Sequence, residues 1–232
     1  MNTPPADPPH ASLPEARQRA LEALLCNDIR HKCLLVDKLD DQIHIDPQIV
    51  LPECAPLPLS AGRPDAPVLV SPAKLKHRSV STPQGRAVLL HALAHIEFNA
   101  INLALDMVWR FPGMPIPFYR DWLKVAREEA LHFSLLQRRL DSLGHQYGDF
   151  PAHNGLWEMA TKTASDLLAR LALVPRTLEA RGLDASPAIR NKLAQAGDMD
   201  SAATLDIILR DEIGHVAIGN HWYRFVCAQR AL

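Results

Sequence analysis

Apolar residues recur every three or four positions through the chain after residue 82, which is the spacing of amphipathic α-helices. Turn signals divide this region. Thr82-Pro83 can start a helix, Phe111-Pro112-Gly113 ends it, and Gly144 and Gly182 end the next two. Ser186-Pro187 opens a short helix before the last long one. The pattern therefore predicts four long helices, at about residues 83–110, 117–143, 155–181 and 199–229.

The first 81 residues have a different pattern. An apolar stripe in residues 14–40 predicts a pair of short helices, whereas residues 41–82 are rich in proline and predict an irregular wrap. Within this wrap, a short strand at residues 68–70 is an alternative that the sequence allows. We therefore expect a helical and proline-rich extension over residues 1–81 and a helical domain over residues 82–232.

Two of the long helices contain the same short motif, Glu-x-x-His: Glu129 with His132, and Glu212 with His215. Residues three apart share one face of a helix, so each motif presents a carboxylate and an imidazole side by side. In helical bundles that hold two metal ions, two helices carry this motif and each of two others contributes one Glu. Glu97 is the only Glu of the first long helix, about as far before the Pro/Gly turn as Glu129 is after it. We therefore expect Glu97 to face the ligands of the second helix.

The third long helix offers Glu158, Asp166 and Glu179 as a further ligand. Glu179 precedes Glu212 by 33 residues, while Glu97 precedes the Glu of the earlier motif by 32, and this repeat selects Glu179. Against it, the depth of Asp166 along the helix matches that of Glu212 better. Glu179 lies near the predicted helix end, so it can bind only if the helix continues or is distorted there.

The lengths of the helices and of their connections favour a bundle. Helices of about 27 residues would each be about 40 Å long. The tight turn after the first helix makes it antiparallel to the second, whereas roughly 11 residues between the second and third helices can stretch along the whole bundle. This connection permits the single long crossover of ferritin-like bundles. We therefore predict an all-α protein, a ferritin-like four-helix bundle with an N-terminal helical and proline-rich extension.

Four stretches between Thr82 and Cys227 resemble an uncharacterised bacterial and plant family of ferritin-like proteins, which is catalogued as a domain of unknown function. They are His95-Ile96-Glu97, Arg127-Glu128-Glu129-Ala130-Leu131-His132-Phe133, Leu178-Glu179-Ala180-Arg181-Gly182-Leu183-Asp184 and Asp211-Glu212-Ile213-Gly214-His215-Val216. The third stretch is the most specific. The resemblance implies a di-metal carboxylate bundle and favours Glu179 over Asp166 as a ligand, but it implies no substrate.

Four carboxylates and two imidazoles form a hard oxygen and nitrogen donor set, which suits iron or manganese better than copper or structural zinc. Four carboxylates also neutralise two divalent ions in a buried site. We therefore predict two iron ions, with manganese as an alternative at one position. The predicted ligands are Glu97, Glu129 and His132 for one ion, and Glu179, Glu212 and His215 for the other.

Acidic residues near the predicted ligands are expected either to orient the histidines or to form ion pairs. Asp206 and Asp211 are expected to orient the ligand histidines through their free ring nitrogens. Glu128 is adjacent to a predicted ligand and is expected to pair with a basic side chain instead.

Composition and net charge limit the classes of partner that we expect the protein to bind. A net charge of −1 and a pI near 6.8 give no basic field for nucleic acid or an anionic membrane. We expect no membrane-spanning segment and no secretory signal. The four cysteines contain no Cys-x-x-Cys pair and favour free thiols. The sequence therefore predicts a cytoplasmic protein.

The leading functional hypothesis is an O2-activating di-iron oxidoreductase. It would be an oxidase or hydroxylase that acts on a small organic substrate, draws on an electron donor and is compatible with a homodimer. Three alternatives stay open: a ferroxidase or other iron-handling protein, a tRNA-modifying hydroxylase, and a helical interaction module without catalysis. The near-zero net charge argues against the tRNA alternative, and the long N-terminal extension argues against a plain cage subunit.

Overall fold

The computed structural model describes residues 15–49, 60–75 and 78–232, except for the side chains of residues 178–180. Within these ranges the chain is helical and forms no β-strand, which confirms the all-α prediction. A 3₁₀ turn covers Pro72–Lys74 and a π-helix covers Val174–Glu179. The α-helices are α1 (Ala16–Leu25), α2 (Ile29–Asp37), α3 (Pro83–Arg110), α4 (Ile116–Ser142), α5 (Gly155–Lys162), α6 (Leu167–Leu173), α7 (Ala180–Gln195) and α8 (Met199–Gln229).

Local signals start and end most helices where the sequence predicts. The Thr82 side chain caps α3 by accepting a hydrogen bond from the amide of Gly85 at 3.1 Å, and Pro83 occupies the first turn. Gly113 and Gly144 follow α3 and α4 with φ angles of 76°, a conformation that glycine adopts without strain. Helices α1, α2, α3, α4 and α8 therefore confirm the corresponding predictions.

The prediction of one continuous helix over residues 155–181 is wrong, because side chains after Lys162 interrupt it. The Thr163 hydroxyl donates back to the carbonyl of Met159 at 2.8 Å, within a turn that ends α5. Asp166 then caps α6 by accepting a hydrogen bond from the amide of Leu168 at 3.0 Å. The third helical column is consequently made of α5, α6 and the π-helix in series.

The predicted helix end at Gly182 and the predicted new helix at Ser186-Pro187 are also wrong, because α7 runs through both positions. A glycine and a proline inside a helix cost about 1 and 3 kcal/mol. The packing of α7 along α8 offsets this cost. Tertiary contacts thus override the local signals at this end of the chain.

The long helices surround one core. Helix α3 packs along α4, α4 packs against α8, and α8 packs against α6, the π-helix and α7, while α5 lies against α3. Every residue of α3 from Glu97 to Trp109 is buried, so α3 is the central helix. Length and composition alone would allow α3 to cross a membrane. However, 72% of its most apolar stretch is buried within the protein, as in the core helix of a soluble domain.

The described part of the N-terminal extension is fastened to the end of α3. Arg17 of α1 donates hydrogen bonds to the carbonyls of Val108 at 3.3 Å and Trp109 at 2.9 Å. Carbonyls in the last turn of a helix lack an intrahelical partner, so this buried guanidinium satisfies them. The strand left open at residues 68–70 does not form, and Leu69 makes only an isolated bridge with Ala152.

A second buried cation, Lys32 of α2, ties the extension to the middle of α3. Its ammonium group donates hydrogen bonds to the carbonyls of Leu24 at 3.0 Å and Gly62 at 2.9 Å, and to the side chain of Asn102. The side chain is fully buried, and this burial lowers the pKa of Lys32 to about 7.

This lowered pKa makes stability depend on pH. The unfolded chain keeps a lysine pKa of about 10.4, so between about pH 7 and 10.4 it binds more protons than the folded protein. Lys32 therefore favours folding more as the pH rises through this window. Urea unfolding gives the free energy of unfolding of the wild type and of Lys32→Met. The difference, wild type minus variant, should rise with pH by at most about 1.4 kcal/mol per pH unit. A constant difference across the window would contradict this prediction.

An ion network is buried where α3 meets the third column. Asp106 of α3 accepts hydrogen bonds from Arg110, at 2.6 Å for the shortest, and from Arg170 of α6. The same guanidinium of Arg170 donates to the hydroxyl of Thr163 at 2.7 Å and the carbonyl of Ala160 at 2.5 Å. Arg170 thereby holds the break between α5 and α6 against α3.

Candidate metal centre

Three helices bring four of the predicted ligands to one point in the core. Glu97 projects from α3, Glu129 and His132 from α4, and Glu212 from α8. Each offers one ligand atom, and these atoms all lie within 4.8 Å of one another. The first three side chains are buried, and 14% of the Glu212 side chain is exposed. A buried cluster of this composition could hold a metal ion.

His215 extends the cluster on α8. Its Nδ1 atom lies 3.1 Å from Oε1 of Glu129 and 3.6 Å from Oε2 of Glu212. On the other side, Nδ1 of His132 lies 3.4 Å from Oε2 of Glu129 and 3.4 Å from Oε2 of Glu97. The two imidazole centroids are 5.9 Å apart. Each oxygen of Glu129 therefore faces a different histidine, and the structure brings five of the six predicted ligands together.

The polar atoms at the centre of this cluster have no ordinary partners. Both carboxylate oxygens of Glu129 and the Nδ1 atoms of His132 and His215 are buried without a hydrogen bond that meets normal geometry. Leaving a buried polar group unsatisfied costs about 1–3 kcal/mol. Four such atoms that face one another fit metal coordination, because a cation would take their lone pairs. The residues present therefore match the requirements of a metal centre.

The outward nitrogens of both histidines are held by acidic residues from the opposite helix. Nε2 of His132 on α4 donates to Asp211 of α8 at 3.2 Å, and Nε2 of His215 on α8 donates to Glu128 of α4 at 2.9 Å. A carboxylate on the outer nitrogen fixes the ring and leaves Nδ1 free for a metal. Asp211 thus lies where the sequence predicts.

Glu128 belongs to the candidate site through its contact with His215, which the sequence reasoning missed. It makes the expected ion pair, with Lys124 at 3.2 Å, but its second oxygen holds His215. A signal was present, because both motifs read acid-Glu-x-x-His, with Glu128 and Asp211 in equivalent positions. Each acid contacts the histidine of the other helix because α4 packs against α8. This packing is not visible in the sequence.

Asp206, the other acid expected to orient a histidine, does not lie at the cluster. It forms a two-bond ion pair with Arg190 of α7, at 2.9 Å for each contact, because it projects from the face of α8 that α7 covers. Asp166, the alternative ligand on the third column, is also elsewhere. It caps α6 and pairs with Arg230 at 2.8 Å.

Glu179 is the one predicted ligand whose side chain lies outside the described part of the chain. Its backbone belongs to the π-helix Val174–Glu179, which confirms the expected distortion in this region. The hydroxyl of Thr177 donates to the carbonyl five residues earlier at 2.9 Å, in keeping with the wider turn. The π-helix approaches α8 where Gly219 faces Pro175, and a Cβ at Gly219 would lie 2.5 Å from the proline ring.

The alignment of the third column with α8 shows at which level of the bundle the backbone of Glu179 lies. The two run antiparallel, with Asp166 beside Arg230 and Pro175 beside Gly219. Four residues after Pro175 on one element correspond to about four residues before Gly219 on the other. The backbone of Glu179 is therefore close to the level of His215.

Charge in the cluster is unevenly distributed. Burial and the nearby carboxylate of Glu129 raise the pKa of Glu97 well above its usual value. Burial would also raise the pKa of Glu129, but the two histidines outweigh it and lower this pKa. Conversely, burial would lower the pKa of His132, but Glu129 and Glu97 raise it to about 11. These opposing pKa shifts follow from the close packing of carboxylates and imidazoles, and metal binding would compete with protons for the same atoms.

The acids that hold the histidines give a testable prediction. Glu128→Gln and Asp211→Asn keep the side-chain shape but weaken the hold on His215 and His132, so each should lower metal affinity by about 10–100-fold. Affinity can be measured by competition with a chromogenic chelator. Asp206→Asn on the same helix is the control and should bind as the wild type does. Unchanged affinity in both variants would show that these acids do not support the ligands.

The fold and the site define a class, an all-helical protein with a buried Glu/His cluster that could hold a metal. The chain belongs to the family described as "Protein of unknown function (DUF455)", whose model matches residues 25–232. It is similar to an uncharacterized protein of Haemophilus influenzae, with 50% identity over 226 residues that cover 93% of this chain and 78% of the relative. No solved structure matches the chain.

Proposed function

We propose that this protein is a ferritin-like di-iron carboxylate protein that uses O2 to oxidise a small organic substrate. The observation that carries the proposal is the convergence of Glu97, Glu129, His132, Glu212 and His215 on buried atoms that lack hydrogen-bond partners. The packing of α3, α4 and α8 with the interrupted third column supports a four-helix bundle of the ferritin-like kind.

The position of Glu129 supports two metal ions rather than one. One of its oxygens faces His132 and the other faces His215, at 3.4 and 3.1 Å. A carboxylate placed in this way would help to hold a metal ion beside each histidine, which favours a centre of two ions. Glu97 would then complete the half that contains His132, and Glu212 the half that contains His215.

Glu179 is proposed as the sixth ligand. Its backbone lies in the π-helix close to the level of His215, and a fourth carboxylate would neutralise the second divalent ion. The mixed oxygen and nitrogen donor set favours iron, with manganese as the alternative at one position.

The two iron ions would supply the binding and reduction of O2. In a hydroxylation, one oxygen atom enters a substrate C–H bond and the other leaves as water. Two electrons and two protons must then come from an external donor, so the proposal includes an electron-donating partner. In an oxidation without oxygen insertion, the substrate itself gives two electrons and two protons, and O2 leaves as hydrogen peroxide.

The chain's own residues have defined tasks in this scheme. Glu128 and Asp211 fix the two imidazole rings, and the burial of Glu129 and His132 keeps bulk water away from the centre. Exclusion of water strengthens electrostatic interactions within a site and limits side reactions.

Metal analysis and an anaerobic titration test the proposal. The full-length protein produced with iron should contain about two metal ions per chain. Metal-free protein titrated with Fe(II) without O2 should saturate at the same ratio, and admission of O2 should give a transient absorption band that decays as the iron is oxidised. Saturation below one ion per chain would overturn the metal centre. Slow oxidation without a transient band would overturn O2 activation.

Size-exclusion chromatography separates the enzyme from iron storage. A monomer or dimer that stops at about two ions per chain is expected for the enzyme. A large closed shell that accumulates many more ions would support the iron-handling alternative.

A further inference from the structure

A cavity lies on another face of α3. It has a volume of about 530 Å³, is partly open to solvent, and is lined by α3, the segment around the 3₁₀ turn, the loop that precedes α5, the start of α5, and α7. Among the described residues, none of the five clustered Glu and His side chains lines it. Ile96, which does line it, is adjacent to Glu97 but about 100° further round the helix. The cavity is therefore separate from the candidate metal centre.

The wall of this cavity is apolar. On α3, the residues that line it recur at positions 85, 88, 89, 92, 95, 96 and 99, which is the spacing of one helical stripe. Leu75, Leu156 and Ile189 close the other sides. A cavity of this size and polarity is within the range of small-molecule binding sites, about 300–1,000 Å³.

The polar groups inside the cavity are already occupied. His95 lies 2.7 Å from the hydroxyl of Tyr147 through Nδ1, and 3.2 Å from the carbonyl of His153 through Nε2. Asn99 donates to the backbone carbonyl of His95 at 2.9 Å. The interior therefore offers apolar contact and few free hydrogen-bonding groups.

The rim of the cavity is positively charged. Lys74, Arg78 and Lys192 line the cavity with exposed side chains, and no acidic residue in the described part of the chain lines it. None of the three forms an ion pair with a described acidic residue, whereas Arg190 on the same helix as Lys192 pairs with Asp206. Three unpaired cations beside an apolar cavity form an electrostatic match for an anionic head group.

We propose that this cavity binds an amphipathic anion, a small molecule with an aliphatic body and a carboxylate head. The aliphatic body would lie against the stripe of α3 around Ala92 and Ile96, and the carboxylate would pair with Lys74, Arg78 or Lys192 at the rim. Burial of the aliphatic body against this wall stabilises the complex in proportion to the apolar area removed from water. The apolar wall therefore provides most of the affinity, and the rim sets the preference for an anion.

Isothermal titration calorimetry of the full-length, delipidated protein tests this site with dodecanoate as the probe and dodecanol as its uncharged counterpart. Dodecanoate should bind once per chain and more tightly than dodecanol. The double variant Lys74→Glu/Lys192→Glu should bind dodecanoate about tenfold more weakly, since two weak exposed pairs become repulsive. Arg224→Glu reverses an exposed charge elsewhere, on α8, and should bind as the wild type does.

A filled cavity provides the second arm. Ala92 is exposed on the stripe, so Ala92→Trp adds bulk at the cavity without disturbing the core. This variant should keep its helical content and metal content but lose dodecanoate binding. Binding that persists in Ala92→Trp, that is unchanged by charge reversal, or that is equal for dodecanol would overturn the proposal, as would no saturable binding. Metal-free protein should bind the probe equally, so a failure of the proposed metal chemistry would not affect the result.

Discussion

Glu129→Gln is expected to abolish metal binding, from about two ions per chain to fewer than one, while the helices remain intact. Glu129 is the only cluster residue whose two oxygens face both histidines, so its amide replacement removes a negative oxygen from each half of the centre. The amide also leaves the charge of two divalent ions less compensated in a buried site. Metal content by mass spectrometry and helical content by circular dichroism measure the two parts of this prediction.

Glu158→Gln is the matched control, because Glu158 is exposed on α5 and lies outside the cluster. It should retain wild-type metal content. If Glu129→Gln keeps two ions, Glu129 is not a ligand. If its metal-free form is unfolded, the buried charges are a structural ion network, and the metal centre loses its main support.

Most of the candidate Glu/His cluster was accessible from the sequence because it depends on local spacing. A separation of three residues places Glu129 beside His132, and Glu212 beside His215, on any regular helix. The tight turn after α3 then determines which residues of α3 and α4 lie at equal depth, which brings Glu97 to the same point. These relations hold wherever a helix is regular.

The third column was not accessible in the same way. Its break depends on Thr163 and Asp166, whose side chains compete with helical hydrogen bonds, and on Arg170, which holds the break against α3. The sequence alone does not reveal that Arg170 pairs with Asp106, a buried acid on α3. The π-helix likewise lies where Pro175 approaches Gly219 closely, a contact between residues 44 positions apart that local spacing does not reveal.

The acids behind the histidines show the same limit. Asp211 and Glu128 occupy equivalent positions in the two motifs, but each serves the histidine of the other helix. Such an exchange depends on the rotation of α4 against α8, which side-chain spacing within one helix does not determine.

Asp106→Asn is expected to destabilise the protein by about 3–5 kcal/mol. The substitution hardly changes the side-chain volume, so the loss reports on charge rather than on packing. Asp106 is fully buried and accepts hydrogen bonds from Arg110 and Arg170, whose side chains are only 8% and 1% exposed. Without the carboxylate, two guanidinium groups would face each other in the core with no negative partner. Burial lowers the pKa of Arg170, because a guanidinium removed from water loses its hydration.

Urea unfolding of metal-free protein, followed by circular dichroism, measures this loss without a contribution from metal binding. Asp41→Asn is the matched control, since Asp41 pairs with Arg127 at 2.9 Å but its side chain is 78% exposed. Exposed ion pairs are screened by solvent and contribute little, so the control should unfold close to the wild type. If both variants lose equally little, the buried network does not hold the third column against α3. A large loss in Asp106→Asn alone would show that the column carrying Glu179 is held to α3 mainly through this carboxylate.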